Sequence, residues 1–203
     1  MSNNVYERQV ALLISVIPEI ADDPVFALHG GTAINLFVRD MPRLSVDIDL
    51  TYIPIEDRDT SFKNIASSLQ EITARINKRV PSAKVEHKIN AHKLLVTNHE
   101  AVIKIEVNQI VRGVLDEVEE KQLCEKAQNQ FDAFCAINIV PHGQLYGGKI
   151  CAGMDRQHPR DIFDVKHLLA SEGFTQKVKE GFLFRLLSSE RSVHDVLFPS
   201  RLD

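Results

Sequence analysis

Two short stretches hold the residue types best suited to chemistry: Leu28-His29-Gly30-Gly31-Thr32-Ala33-Ile34-Asn35 and Arg43-Leu44-Ser45-Val46-Asp47-Ile48-Asp49-Leu50. In the second, Val46, Ile48 and Leu50 alternate with Asp47 and Asp49. A strand here sets the two carboxylates on one face and the aliphatics on the other. Acids about 7 Å apart along a strand repel unless a cation lies between them, and hard divalent ions such as Mg2+ take carboxylate oxygens. In the first stretch, Gly30 and Gly31 permit a tight bend and a close approach of backbone to ligand. A helix starting at Thr32 offers unpaired N–H groups and a positive dipole end to an anion, and the Thr32 hydroxyl is a further donor. Ser45 shares the strand face of Asp47 and borders the same site, as a ligand contact or as filler. A phosphate cradle beside a metal-binding acid pair is equipment for phosphoryl or nucleotidyl transfer. The same residues also suit an ordinary capped turn beside a solvated strand face; their order and spacing favour the chemical reading.

These residues must be held by the elements around them. Val5 to Ile20 has helical spacing, with Val10, Leu13, Ile14 and Ile17 on one face. Val25 to Leu28 reads as a first strand, Thr32 to Arg39 as a helix packing through Ala33, Leu36 and Phe37, and Leu44 to Tyr52 as a second strand. A long helix from Asp59 to Lys78 carries Phe62, Ile65, Leu69, Ile72 and Ile76 on one face. Three short strands follow, Lys84 to Ile89, His92 to Asn98 and Ala101 to Gln109, with breaks that suit tight antiparallel connections. In the last of them Ile103, Ile105 and Val107 face one way and Lys104, Glu106 and Asn108 the other, so Glu106 presents a carboxylate from a half-apolar strand. Val111 to Asp132 is rich in charge, including the run from Asp116 to Lys121, and reads as a solvated helix or a mobile loop. Ala136 to Val140 is a short strand, and the remainder is mainly helical.

The 203 residues suit one domain or one domain with a helical appendage. With 44% hydrophobic and 26% charged residues the composition is that of an ordinary globular protein. A net charge of −4 gives no global drive toward nucleic acid, so any such contact needs a local basic patch. Cys124, Cys135 and Cys151 lack metal-binding spacing and read as reduced thiols. There is no apolar run of membrane-spanning length and no signal-peptide layout, so a soluble, cytoplasmic protein without membrane contacts is expected.

Gly30-Gly31-Thr32 followed by Ser45-x-Asp47-x-Asp49 resembles the nucleotidyltransferase superfamily typified by DNA polymerase beta. The fuller string, Gly30-Gly31-Thr32-Ala33 with Arg43-x-Ser45-x-Asp47-Ile48-Asp49-Leu50, is similar to the AbiEii/AbiGii toxin family. A second block resembles the same family: Gln144-Leu145-Tyr146-Gly147-Gly148-Lys149, then Asp155-Arg156-Gln157-His158-Pro159-Arg160-Asp161-Ile162-Phe163-Asp164. The resemblance implies an α/β (α+β) fold, a small mixed twisted sheet with flanking helices, as residues 1–140. A mainly helical part, residues 141–203, would complete the active-site cleft. It implies a Mg2+-dependent (or Mn2+-dependent) enzyme moving a nucleoside monophosphate from an NTP to an acceptor. Asp47, Asp49 and Glu106 would be the metal ligands, and Gly30, Gly31, Thr32 and Ser45 would contact the nucleotide. Lys149 would neutralise its phosphates, and Asp164 would orient Lys149 or accept a proton, with Asp161 as the nearby competitor. Arg156 and Arg160 would clamp phosphate, or pair with Asp155, Asp161 and Asp164 as helix staples. His29 could face the base or be a structural histidine.

The family context points further, to the toxin of a bacterial toxin–antitoxin or phage-defence system, with the 3′ end of tRNA as acceptor and a cognate antitoxin encoded nearby. Two alternatives stay open from the residues alone: a nucleotidyltransferase with a small-molecule or protein acceptor, and a catalytically silent module that binds nucleotide or a partner.

Overall fold

The computed structural model describes residues 2–199. In chain order the elements are α1 (Ser2–Ala21), β1 (Phe26–His29), α2 (Gly30–Thr32) running into a π-helical turn (Ala33–Val38), β2 (Asp47–Tyr52) and α3 (Arg58–Arg79). There follow β3 (Lys84–Lys88), a 3-10 turn (Ile89–Ala91), β4 (Lys93–Thr97), β5 (Val102–Val107), β6 (Glu119–Gln122), α4 (Glu125–Phe131) and β7 (Ala136–Ile139). Four further helices close the described chain: α5 (His142–Arg156), α6 (Pro159–Ser171), α7 (Gln176–Leu187) and α8 (Val193–Leu197). Among the described residues no helix is long and apolar enough to cross a membrane.

The chain divides into two compact units, residues 1–113 with 118–139, and residues 114–117 with 140–203. The first unit is built on one mixed seven-stranded sheet in the order β3-β4-β5-β2-β1-β7-β6. β1 pairs antiparallel with β2 and parallel with β7, while β2 pairs parallel with β5. α1 packs against β5 and β7, α3 against β3 and β4, and the two helices touch. The buried stripe of α1 (Val10, Leu13, Ile14, Ile17) and that of α3 (Ile65, Leu69, Ile72, Ile76) form the core with Ile48, Leu50, Ile103 and Ile105 of the central strands. Burial of one face at a period of two leaves Asp47, Asp49 and Glu106 on the other.

The structure revises three local expectations. The helix after the glycines begins at Gly30 and widens into a π turn, in which the Arg39 N–H donates to Ile34 O at 2.8 Å. The second strand starts at Asp47 rather than Leu44, because Ser45 is drawn back against Thr32, at 3.1 Å between hydroxyl oxygens. The charged segment after Val111 contributes the edge strand β6, whose Glu-Glu-Lys-Gln sequence carries no apolar alternation. Charge on an edge strand discourages pairing with another chain.

In the second unit α5 and α7 cross backbone to backbone. A methyl group at Gly147 would lie 2.2 Å from Gly181 C, and one at Gly143 would lie 2.2 Å from Lys177 O. At Gly153, farther along α5, a methyl would meet nothing closer than 3.8 Å. Gly147→Ala is therefore expected to destabilise this unit by about 3 kcal/mol, a fall of roughly 6–12 °C in midpoint by thermal circular dichroism. Gly153→Ala in the same helix is expected to leave the midpoint unchanged or raise it slightly.

Candidate active site

The glycine bend and the acid pair come together through strand pairing. β1 and β2 are joined in a register that sets His29 opposite Asp49, so the bend that follows His29 lies beside the Asp49 carboxylate. Gly30 has φ +78°, and a methyl there would be 2.4 Å from Asp49 Oδ2. Both its conformation and its neighbour exclude a side chain. Gly31 is similarly close to Ser45 Oγ, 2.9 Å, and to Arg43 Nη2, 3.0 Å, from the position a methyl would take. Thr32 is fully buried, and its hydroxyl donates to the backbone carbonyl of Asp47. The hydroxyl hydrogen is thus engaged by β2, and the side chain is a strut between the bend and the first residue of the acid strand.

Glu106 enters from β5, which pairs parallel with β2 so that Asp47 lies opposite Lys104 and Asp49 opposite Glu106. On its other edge β5 pairs with β4, setting Lys93 opposite Glu106. The Lys104 ammonium lies 2.7 Å from Glu106 Oε2 and 3.8 Å from Asp47 Oδ1, and Lys93 pairs with Glu106 Oε1. Burial works to raise the Glu106 pKa, but the hydrogen bonds and charges of Lys104 and Lys93 together outweigh it and hold the carboxyl below its ordinary value. Burial likewise opposes the charge on Lys104, and Glu106, Asp47 and Asp49 together raise its pKa.

Asp49 and Glu106 line a cavity of about 240 Å³ with His29, Asn108, Gln109 and Ala91. The oxygens of Asp47 and Asp49 have the hardness that Mg2+ requires, and two carboxylates suffice for an ion that keeps waters and substrate phosphates as its other ligands. The expected three-acid cluster is a different matter. Among the described residues no group of three or more His, Cys, Asp or Glu side chains is placed to hold a metal ion. Glu106 instead holds two ammonium groups. Strand alternation puts Lys104 on the face of Glu106, whereas Lys93 arrives only through the β4–β5 register, which composition does not reveal.

In the second unit the predicted residues of α5 and α6 form one buried ionic cluster. Lys149 is 7% exposed, Asp161 4% and Asp164 1%. The Lys149 ammonium lies 2.8 Å from Asp161 Oδ1 and 3.4 Å from Asp164 Oδ2, and Arg156 Nε lies 2.8 Å from Asp161 Oδ2. Asp161, named above only as a competitor, is the nearer partner of Lys149 and joins it to Arg156. Pro159 at the start of α6 and the ring of His158, which accepts from the Arg160 N–H at 3.2 Å, set the helix so that Asp161 and Asp164 face inward. Arg160 is exposed and Arg156 largely so.

Removing one partner of a buried ion pair costs about 3–5 kcal/mol because the other charge is left without compensation. Lys149→Met is expected to destabilise the protein by that amount at neutral pH in denaturant titrations, and adding Asp161→Asn and Asp164→Asn is expected to restore most of it. Burial pushes the Asp161 pKa up, but Lys149 and Arg156 together bring it below its ordinary value of 3.8. A carboxyl depressed on folding stabilises above its unfolded pKa and loses that contribution as pH falls through the folded one. Wild-type stability should therefore drop from about pH 3.8 downward, with a shallower slope in Asp161→Asn.

Residues 11–202 match the family described as the nucleotidyl transferase AbiEii toxin of type IV toxin–antitoxin systems. No curated protein sequence matches the chain. Among solved structures, MenT4, a nucleotidyltransferase toxin of Mycobacterium tuberculosis, has a similar fold, with a TM-score of 0.69 at 14% identity over 96% of this chain and 66% of that one. The present chain thus spans a little under two thirds of MenT4, and the likeness at this identity is one of fold. With the family match covering nearly every residue, the chain belongs to the AbiEii nucleotidyltransferase toxin family of type IV toxin–antitoxin systems.

Proposed function

We propose that this protein transfers a nucleoside monophosphate from an NTP to an RNA acceptor, the 3′ end of tRNA, and thereby acts as the toxin of a bacterial toxin–antitoxin or phage-defence pair whose antitoxin is encoded beside it. The observation that carries the reading is the Asp49 carboxylate held against a side-chain-free bend and opening, with its register partner Glu106, into one cavity. A bend without side chains lets backbone N–H groups approach phosphate oxygens closely.

Asp47 and Asp49 are the residues that would hold Mg2+ or Mn2+. Held by these two carboxylates, such an ion would supply charge neutralisation to the triphosphate and acidity to the acceptor hydroxyl. The chain's own groups have separate tasks in this proposal. Gly30 and Gly31 admit the triphosphate, with Ser45 and Arg43 behind the bend. Lys104 and Lys93 balance the negative charge that Glu106 brings to the cavity. The acceptor oxygen attacks the α-phosphorus and pyrophosphate leaves; within the second unit Lys149 is held by Asp161 and Asp164.

The test is incubation of the protein with each labelled NTP and total RNA. Label is expected in the tRNA band, dependent on added Mg2+ or Mn2+. Asp47→Asn and Asp49→Asn are each expected to lower the rate on the order of a hundred- to a thousandfold without loss of fold. Label in a protein or small-molecule fraction would move the reading to a different acceptor. Absence of metal-dependent pyrophosphate release would leave a nucleotide-binding module.

A further inference from the structure

Three cationic or imidazole side chains surround Phe62 in the first turns of α3. The Arg58 guanidinium carbon lies 4.9 Å from the centre of the Phe62 ring and that of Arg112 lies 5.8 Å from it. The His92 ring is 4.8 Å from the Phe62 ring, tilted by 53°. Each comes from a different segment: α3, the left-handed residue (φ 46°) that closes the β3–β4 hairpin, and the loop after β5. Cations over an aromatic face are stabilised by its quadrupole, which holds the group together without any carboxylate.

The cluster is short of acceptors. His92 is 7% exposed, and its Nδ1 is buried with no hydrogen-bond partner. Nη1 of Arg112 is buried and unpartnered as well. Among the described residues neither Arg58 nor Arg112 forms an ion pair. The carboxylates next to Arg58 in sequence are engaged or exposed: Glu56 accepts from Tyr52 Oη and Asn64, Asp57 caps the Thr60 N–H, and Asp59 is exposed. A buried polar group without a partner is costly, and an unfilled ligand position is one of the few explanations for it. Burial, reinforced by His87, lowers the His92 pKa, so the imidazole is neutral near pH 7 and keeps one N–H to donate.

The position of the cluster indicates what fills it. Ala91 and Gln109 line the cavity that holds Asp49 and Glu106, and the Gln109 side chain donates to Ala91 O at 3.0 Å. His92 directly follows Ala91, and its carbonyl accepts from the Val107 N–H at 3.1 Å. The cluster stands on the α3 side of the sheet and the cavity on the side of Glu106, and the two share the loops Ala91–His92 and Gln109–Arg112 at one end of the sheet. A guanidinium pair and an imidazole N–H suit the oxygens of a phosphate group. A phosphodiester fits such a place better than a base edge, because its contacts position a strand without reading sequence.

We propose that Arg58, His92 and Arg112 form a phosphate subsite that holds a phosphodiester of the acceptor strand whose end enters the Asp49–Glu106 cavity. The assignment rests on the RNA-acceptor reading above. Binding of an end-labelled single-stranded oligoribonucleotide to the full chain tests it, by fluorescence anisotropy across a salt series, for wild type, Arg58→Gln, Arg58→Lys and Arg112→Met. Arg58→Gln and Arg112→Met are each expected to weaken RNA binding about tenfold and to reduce the salt slope by about 0.7. Arg58→Lys should recover part of the loss, and NTP affinity measured in parallel should not move. Because Arg58 is exposed, its variants keep the test open if Arg112→Met does not fold. Unchanged RNA affinity in folded variants of a wild type that labels RNA would overturn the subsite and leave the acceptor reading standing. A parallel loss of NTP affinity would assign the cluster to the donor nucleotide instead. Wild type that neither binds nor labels RNA would remove the acceptor reading, and the subsite with it.

Discussion

The approach of Gly30 to Asp49 is the constraint on which the rest of the first unit depends. A bend at φ +78° with a carboxylate oxygen 2.4 Å from where a methyl group would stand leaves room for hydrogen alone. That proximity exists only because β1 and β2 are neighbours in an antiparallel register with His29 opposite Asp49. It also needs the chain to return quickly, and the π turn with its Arg39-to-Ile34 hydrogen bond takes up the extra residue that a regular helix would not. Thr32 then ties the bend to the Asp47 carbonyl. Strand order, register, turn and strut each fix the same two carboxylates, so a change in any of them moves the site.

Burial separates the roles of the Glu106 and Lys149 clusters. Around Glu106 the partners Lys93 and Lys104 are partly exposed, and pairs of that kind contribute little to stability, about 0–1 kcal/mol. Such lysines can yield to a better cation or turn toward a phosphate at small cost. Around Lys149 both carboxylates are almost fully enclosed, and breaking such a pair costs several kcal/mol. That cluster cannot rearrange freely, so it serves as a fixed charge. An adjustable set of charges belongs where ligands exchange, and a rigid one where orientation must be kept.

Much of this was legible in the sequence, for definable reasons. Hydrophobic periodicity gave α1, α3, β4 and β5 because each buries one face at its own period. Alternation at Val46 to Leu50 gave the shared face of Asp47 and Asp49, and the diglycine gave the bend. What stayed hidden depends on pairing between distant segments. β6 is an edge strand of charged residues and shows no period of its own. Lys93 meets Glu106 only by register. The engagement of the Thr32 hydroxyl depends on which strand lies above it, and spacing alone offered both phosphate and capping roles. Asp161 and Asp164 are one turn apart on α6, and only packing decides that the former is closer to Lys149.

A chain with a net charge of −4 cannot attract a polyanion by its total charge, and at physiological salt fields fade over about 8 Å. What counts is whether individual arginines are neutralised. Most with a structural task here are: Arg75 lies 3.8 Å from Asp23, Arg79 pairs with Glu19 and Asp22, Arg156 with Asp161, and Arg191 with Asp155. Those pairs staple helices and loops and leave little positive field. Arg58 and Arg112 differ in having an aromatic ring in place of a carboxylate. A ring orders a guanidinium without cancelling its charge, so the positive potential survives there, at the end of the sheet shared with the cavity. An acidic protein can keep a local site for phosphate in this way, and its placement then follows from which arginines were given aromatic partners.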